Sequence, residues 1–145
     1  MLPYLGKQRY LNAVRKGTVA ASARSAREVV EAYNLVAWNK QDLTLAEELL
    51  ADKVIRHDVG EARTLTRSQA VQRIADTWKM FTALRFDLKL VIAGDDEEHV
   101  AIVYQATMTL NDGTDTSIGS IEVFRVVDGR ITEVYNCGHK QGAWQ

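Results

Sequence analysis

Glu122 lies in a β-rich run in which Ile118, Phe124 and Val126 share its alternation, so its carboxylate is directed toward an expected core. Two amides, Gln105 and Asn136, sit in neighbouring β-rich runs at positions read as facing the same core. Burying a carboxylate and two amides is costly unless they are paired or used. A carboxylate among apolar neighbours has a raised pKa, because desolvation disfavours its charged form. That suits a general acid or base working near neutral pH. The amides can orient a substrate oxygen or hold the carboxyl of Glu122, and satisfying one another is an equally weighted alternative. For Glu122 itself the competing reading is a structural ion pair or an outward-facing carboxylate.

These residues need a sheet to carry them. Val100–Leu110, Thr116–Val127 and Arg130–His139 are rich in Val, Ile, Thr, Tyr and Phe, with Asn111-Asp112-Gly113 and Asp128-Gly129 between them. Ahead of them, Leu84, Phe86, Leu88, Leu90 and Ile92 alternate with mostly polar residues, and Gly94-Asp95-Asp96-Glu97 turns the chain. This predicts a four-strand antiparallel meander. The first half reads as helical. Ser25/Glu28, Thr44/Glu47 and Thr66/Gln69 have capping-box spacing. The first precedes a stripe of Ala26, Val29, Val30, Tyr33, Val36 and Ala37, with Trp38 pointing elsewhere, toward a subunit contact or a second side. The third precedes Ala70, Val71, Ile74, Trp78 and Phe81 on one face, with Arg73 on the wet face. Tyr33 and Trp78 face the sheet, where core packing is their default role and lining a substrate pocket the alternative. Lys53–Val59 is a short strand. The order is α+β, with helices packed on one face of a curved sheet. Residues 1–23, with poor periodicity and Gly6 and Gly17, read as an arm that is possible to build as a helix, preceding a domain over residues 24–145.

Composition narrows the function classes. A chain of 145 residues holds one domain with a real core. A net charge of -1, with basic residues not interleaved with aromatics, argues against nucleic acid. One cysteine, Cys137, rules out an internal disulfide framework and fits a reducing cytoplasm. No apolar stretch approaches signal-peptide or membrane-spanning length, so a cytoplasmic protein with no membrane partner is expected. Three scattered histidines and no Cys/His cluster predict no metal site. No glycine-rich phosphate loop or Gly-x-Ser-x-Gly elbow is present.

The runs Val29-Val-Glu-Ala-Tyr33, Trp38-Asn39, Ala46-Glu-Glu-Leu-Leu50, Val54-Ile-Arg-His57-Asp58 and Ile121-Glu-Val-Phe-Arg-Val-Val-Asp-Gly-Arg-Ile131 resemble the SnoaL-like branch of the nuclear transport factor 2-like superfamily. The resemblance covers Ser25 to Gly138. It implies a cone-shaped curved antiparallel sheet wrapped around helices (a cystatin-like roll), a deep pocket, no cofactor, and a homodimer through the outer sheet face. By analogy His57 sits beside the pocket mouth, where a neutral imidazole relays a proton or hydrogen-bonds a substrate oxygen. A satisfied core or surface histidine is the competing reading. Asp58 then faces outward. The chain also departs from relatives. Where epoxide hydrolases of this superfamily carry an aspartate–arginine–aspartate set, it has Gln105, Val103 and Asn136, and an amide takes no proton from water. The acid common near position 136 is replaced by Glu122, and Val59 stands where a proline often follows the His-Asx pair.

The face shared by Glu122 depends on one turn. A two-residue Asp128-Gly129 loop pairs Val127 with Arg130 and sets Glu122 opposite Tyr135. A three-residue loop from Val127 pairs Phe124 with Thr132 and puts Glu122, Val134 and Asn136 on one face, with His139 on the other. The resemblance favours the second. The candidate catalytic residues are therefore His57, Glu122 and Asn136, with Tyr33, Trp78 and Gln105 binding substrate. The expected function is a cofactor-independent acid/base lyase, isomerase, cyclase or dehydratase acting on a small hydrophobic oxygenated molecule. A non-catalytic ligand-binding or dimerising scaffold is the alternative, and a rearranged epoxide hydrolase the third reading.

Overall fold

The computed structural model describes residues 24–145, so the arm expected over residues 1–23 lies outside the described residues. Helix α1 (Ala26–Ala32) starts at Ser25, whose hydroxyl accepts the Glu28 N–H at 3.1 Å. It buries Val29 and Val30 completely. The chain then widens into a π-helical turn, Tyr33–Trp38. The looser winding rotates the helix face, so Asn34 and Trp38 join Tyr33 on the buried side. Trp38 therefore packs inward rather than toward a subunit contact. Helix α2 (Leu43–Leu49) is capped by Asp42, which accepts the Leu45 N–H, and not by Thr44 as its spacing suggested. Helix α3 (Arg67–Trp78) has the expected Thr66/Gln69 capping box and buries Ala70, Val71 and Ile74.

The strands are β1 (Leu50–Asp58), β2 (Glu61–Thr66), β3 (Phe81–Ala93), β4 (His99–Leu110), β5 (Asp115–Val127), β6 (Arg130–Asn136) and β7 (Lys140–Gln141). They form one curved, unclosed sheet in the order β2-β1-β6-β5-β4-β3, with β7 continuing beside β5. The β3–β6 meander is antiparallel as expected, but β1 runs parallel to β6, so the sheet is mixed. Strand β2 was not legible in the sequence: Glu61–Thr66 is mostly polar and exposed, and pairs back on β1 through a turn at Gly60, φ +90°. The core lies between the inner sheet face, including Ile102, Phe124 and Ile131, and the three helices. The α+β class and cone-type fold expected from the sequence are those observed.

The β5–β6 hairpin takes neither form considered above. Asp128 and Gly129 make a two-residue loop with φ of 51° and 75°, and Val127 pairs with Arg130. One extra residue on β6, at Thr132, then shifts the register, so Phe124 faces Val134 rather than Thr132. Beyond this bulge Glu122 stands directly opposite Asn136. The two residues share a face because a tight turn and a bulge act together.

Asn39, at the end of the π-helical turn, ties the helical layer to β3. Its amide nitrogen donates to the Phe86 carbonyl at 3.0 Å and its oxygen accepts the Phe86 N–H at 2.7 Å. Asn39→Ala leaves both backbone groups without that partner and should destabilise the domain by about 1–3 kcal/mol. Urea denaturation followed by far-UV circular dichroism checks this.

Candidate active site

A cavity of about 530 Å³ opens between the inner sheet face and the helices. One side is apolar, with Phe81, Leu84, Phe86, Met108, Leu110 and Ile118 among its lining residues. Charged groups from Arg56, Asp58, Arg63, Arg73 and Glu122 gather on the other. Register explains the division. Glu122 of β5 faces Asn136 of β6, and Arg56 of β1 lies beside Val134 of β6 and opposite Arg63 of β2. The apolar wall comes mainly from β3, β4 and the first half of β5.

Glu122 is half-buried, and what remains accessible is open to the cavity it lines. Desolvation pushes its pKa above the ordinary glutamate value, against the opposing pull of Arg56, Arg73 and Asn136. Among the described residues no arginine, lysine or histidine lies within 4.0 Å of the carboxylate. Asn136 Nδ2 donates to Glu122 Oε1 at 2.9 Å, while Asn136 Oδ1 accepts the Gly138 N–H. The second bond fixes the amide so that its nitrogen faces the carboxylate. Among the described residues Oε2 has no hydrogen-bond partner.

Two buried tyrosines complete the polar end. Burial and the nearby Glu122 charge push the Tyr104 hydroxyl up to about 12. Burial likewise raises Tyr33, which packs edge-on against Phe124 at 6.1 Å. Both remain protonated hydrogen-bond donors near neutral pH. Trp38 also lines the cavity, edge-on to Phe86 at 5.4 Å, and the Arg73 guanidinium sits 5.6 Å from its ring centroid.

Of the six residues singled out in the sequence, Glu122, Asn136 and Tyr33 line the cavity. His57 does not. It lies on the outer face, where Nε2 is 2.9 Å from Glu133 Oε2 and the ring stacks on Tyr135 at 4.2 Å. The phase of β1 is set by Val54, 2% exposed, which sends Arg56 and Asp58 inward and His57 outward. The outward Asp58 expected above is thus corrected. Trp78 instead donates its indole N–H to the Trp38 carbonyl at 2.8 Å, holding α3 to the π-helical turn. Gln105 is buried, but under the C-terminal segment on the outer face. Its nitrogen donates to the carbonyls of Ile118 and Gly142, and its oxygen accepts the Trp144 N–H.

Sequence reasoning missed Asp58, Arg56, Arg63, Arg73, Tyr104 and His139. Tyr104 was legible, because β4 alternates Val100, Ile102, Tyr104, Ala106, Met108 on its inner face, a phase that also excludes Gln105. His139 lines the cavity because strand alternation ends at Asn136 and Gly138 (φ +84°) redirects the chain. Among the described residues no cluster of metal-ligating side chains occurs, and no helix is long and apolar enough to cross a membrane.

The SnoaL-like domain model matches residues 29–134, and the chain belongs to that family. Solved structures with the same fold include a candidate polyketide cyclase from Acidithiobacillus ferrooxidans, 17% identical with TM-score 0.66 over 81% of this chain and 87% of that one. An LEH-like epoxide hydrolase from M. tuberculosis is 19% identical, with TM-score 0.62 over 77% and 80% of the two chains. A protein with a ketosteroid isomerase-like fold from Catenulispora acidiphila, solved with trimethylamine, is 19% identical, with TM-score 0.64 over 77% and 85%. A comparison with curated proteins returned no match.

The raised pKa of Glu122 carries a sign. Its stabilising contribution is fully present below the unfolded value, near 4.5, and is lost as pH rises through the higher folded value. Glu122→Gln removes that loss. The variant should gain stability relative to the parent as pH rises from 4 to 8, measured by urea denaturation at each pH. An unchanged difference across that range would contradict the assignment.

Proposed function

We propose that this protein is a cofactor-independent acid/base enzyme that moves a proton on a small hydrophobic, oxygenated molecule held in the cavity. One observation carries the reading: the Glu122 carboxyl faces a largely apolar cavity, oriented by Asn136, with no cation in contact among the described residues. An ionised Glu122 takes a proton from the carbon beside a substrate carbonyl. Tyr104 or Tyr33 donates to the developing enolate oxygen, and the Arg56 and Arg73 charges stabilise it further. Returning the proton to another carbon gives isomerisation. Attack of the enolate on a second carbonyl gives cyclisation, and expulsion of a leaving group gives dehydration or a lyase step. Asn136 is a positioning residue in this scheme, and Asp58, the last residue of β1 and part of the same cavity lining, is a second carboxylate available to relay the proton.

All three branches begin with removal of one proton, so solvent exchange at the carbon tests them together. A panel of enolisable aryl ketones in deuterated water, followed by proton NMR, should show enzyme-dependent loss of the α-proton signal. Glu122→Gln should slow this exchange by ~10²–10⁴-fold with the fold intact. Exchange at the parental rate in the variant would overturn the assignment. A parent that binds members of the panel and exchanges none would favour the ligand-binding scaffold.

We also propose a homodimer through the outer sheet face, where Ile121 and Tyr135 are 50% and 44% exposed on adjacent strands. Sedimentation equilibrium should give twice the 16.3 kDa chain mass. Ile121→Asp should return it to the single-chain value, and a parent that sediments as a monomer would contradict the proposal.

A further inference from the structure

The polar end of the cavity holds more positive charge than the proposed proton transfer needs. Three guanidiniums, from Arg56, Arg63 and Arg73, line it together with the carboxylates of Asp58 and Glu122. With both carboxylates ionised, the state in which Glu122 accepts a proton, the excess is one positive charge. Among the described residues none of the three guanidiniums forms an ion pair within 4.0 Å. Residues 1–23 contain no aspartate or glutamate, so that segment has no side-chain carboxylate with which to pair them.

Arg56 and Arg73 are half-buried, and Arg63 is exposed. No side-chain nitrogen or oxygen among the described residues is both fully buried and without a partner, so guanidinium nitrogens lacking one are open to space. Arg73 is shielded on one side by Trp38. Burial and the neighbouring Arg56 charge weaken its hold on its proton, and both guanidiniums line the same cavity. Two like charges side by side cost free energy, and an anion between them relieves it. Guanidinium forks match a carboxylate in two parallel hydrogen bonds.

We propose that the cavity takes a monocarboxylate with an apolar body, its carboxylate seated against Arg56 and Arg73 and its hydrocarbon part against the wall that includes Phe86, Met108 and Ile118. The inference rests on the reading of this cavity as a substrate site and names the substrate class. The charge balance selects a monoanion, which neutralises the excess; a dianion would leave one negative charge beside Glu122 and Asp58. The dimensions allow it. From Glu122 to Thr116, both lining the cavity, β5 spans roughly 20 Å. Arg63, exposed where the cavity meets solvent, is placed to draw the anion inward.

Isothermal titration at pH 9, where an alkylphosphonate carries two negative charges and a carboxylate one, with 4-phenylbutanoate, 4-phenylbutanamide and the matching phenylalkylphosphonate tests this. The carboxylate should bind about 10-fold or more tightly than the amide, as expected for charge-assisted hydrogen bonds, and more tightly than the phosphonate. Arg56→Gln and Arg73→Gln should each reduce the preference over the amide, while Arg73→Lys, which keeps the charge if the glutamine variant fails to fold, should retain part of it. Glu122→Gln should keep the carboxylate preference while losing proton exchange, so failure of this inference and failure of the proposed reaction are separable. Equal affinity for carboxylate and amide, a phosphonate preference, an undiminished preference in both glutamine variants, or no saturable binding of the carboxylate would overturn it.

Discussion

The hydrogen bond between Asn136 and Glu122 across β5 and β6 is the contact on which the site depends. It exists because a two-residue turn at Asp128-Gly129 is followed by one extra residue at Thr132, which brings position 136 opposite position 122. Remove the bulge, and every β6 side chain beyond it changes face. The bond neither neutralises the carboxylate nor exposes it. An amide donor orients one oxygen and leaves the other available, whereas an arginine at the same distance would lock the group as an ion. Burial then raises the pKa, and the more distant arginines limit how far it rises.

The remaining architecture walls the cavity that this carboxylate faces. The π-helical turn matters here, because its wider winding turns Trp38 and Asn34 toward the cavity that a regular helix would deny them. Trp38 then supports Arg73 from one side and Phe86 from another. The fork from Asn39 pins the same turn to β3, and the Trp78 indole pins it to α3. On the opposite face of the sheet, Gln105 anchors the C-terminal segment. Trp144 lies so close over Gly119 that a Cβ there would come within 2.8 Å of its indole nitrogen. Helix packing and strand register thus converge on the shape of one cavity, and the tail is anchored on the other face of the sheet.

The fold was legible in the sequence because capping boxes, alternation and turn residues agree over most of the chain. Thr66/Gln69 and the meander from Phe81 to Asn136 are examples. Strand β2 was hidden by its polarity, since an edge strand with little core contact has no hydrophobic pattern to announce it. In β1 the resemblance places His57 at the pocket and alternation then sends Asp58 outward, and the sequence holds nothing to oppose that phase. In Val54-Ile55-Arg56-His57-Asp58 the more apolar alternate set is Ile55 and His57, yet Val54, Arg56 and Asp58 face inward. A polar pocket inverts the usual rule: the inner face of a strand becomes charged where it lines the site. Glu122 escaped this trap because its neighbours Phe124 and Val126 are unambiguous core residues.

The central claim is that a glutamate in the penultimate antiparallel strand of the meander is held, uncharged more readily than usual, in a cavity built to use its proton. Selective carbon-13 labelling of glutamate side chains, with carboxyl shifts followed by NMR from pH 3 to pH 9, measures that property directly. A resonance absent from Glu122→Gln should titrate above the ordinary glutamate range and move when Arg56 or Asn136 is replaced. A Glu122 carboxyl that titrates like those on the surface, indifferent to both neighbours, would contradict the account.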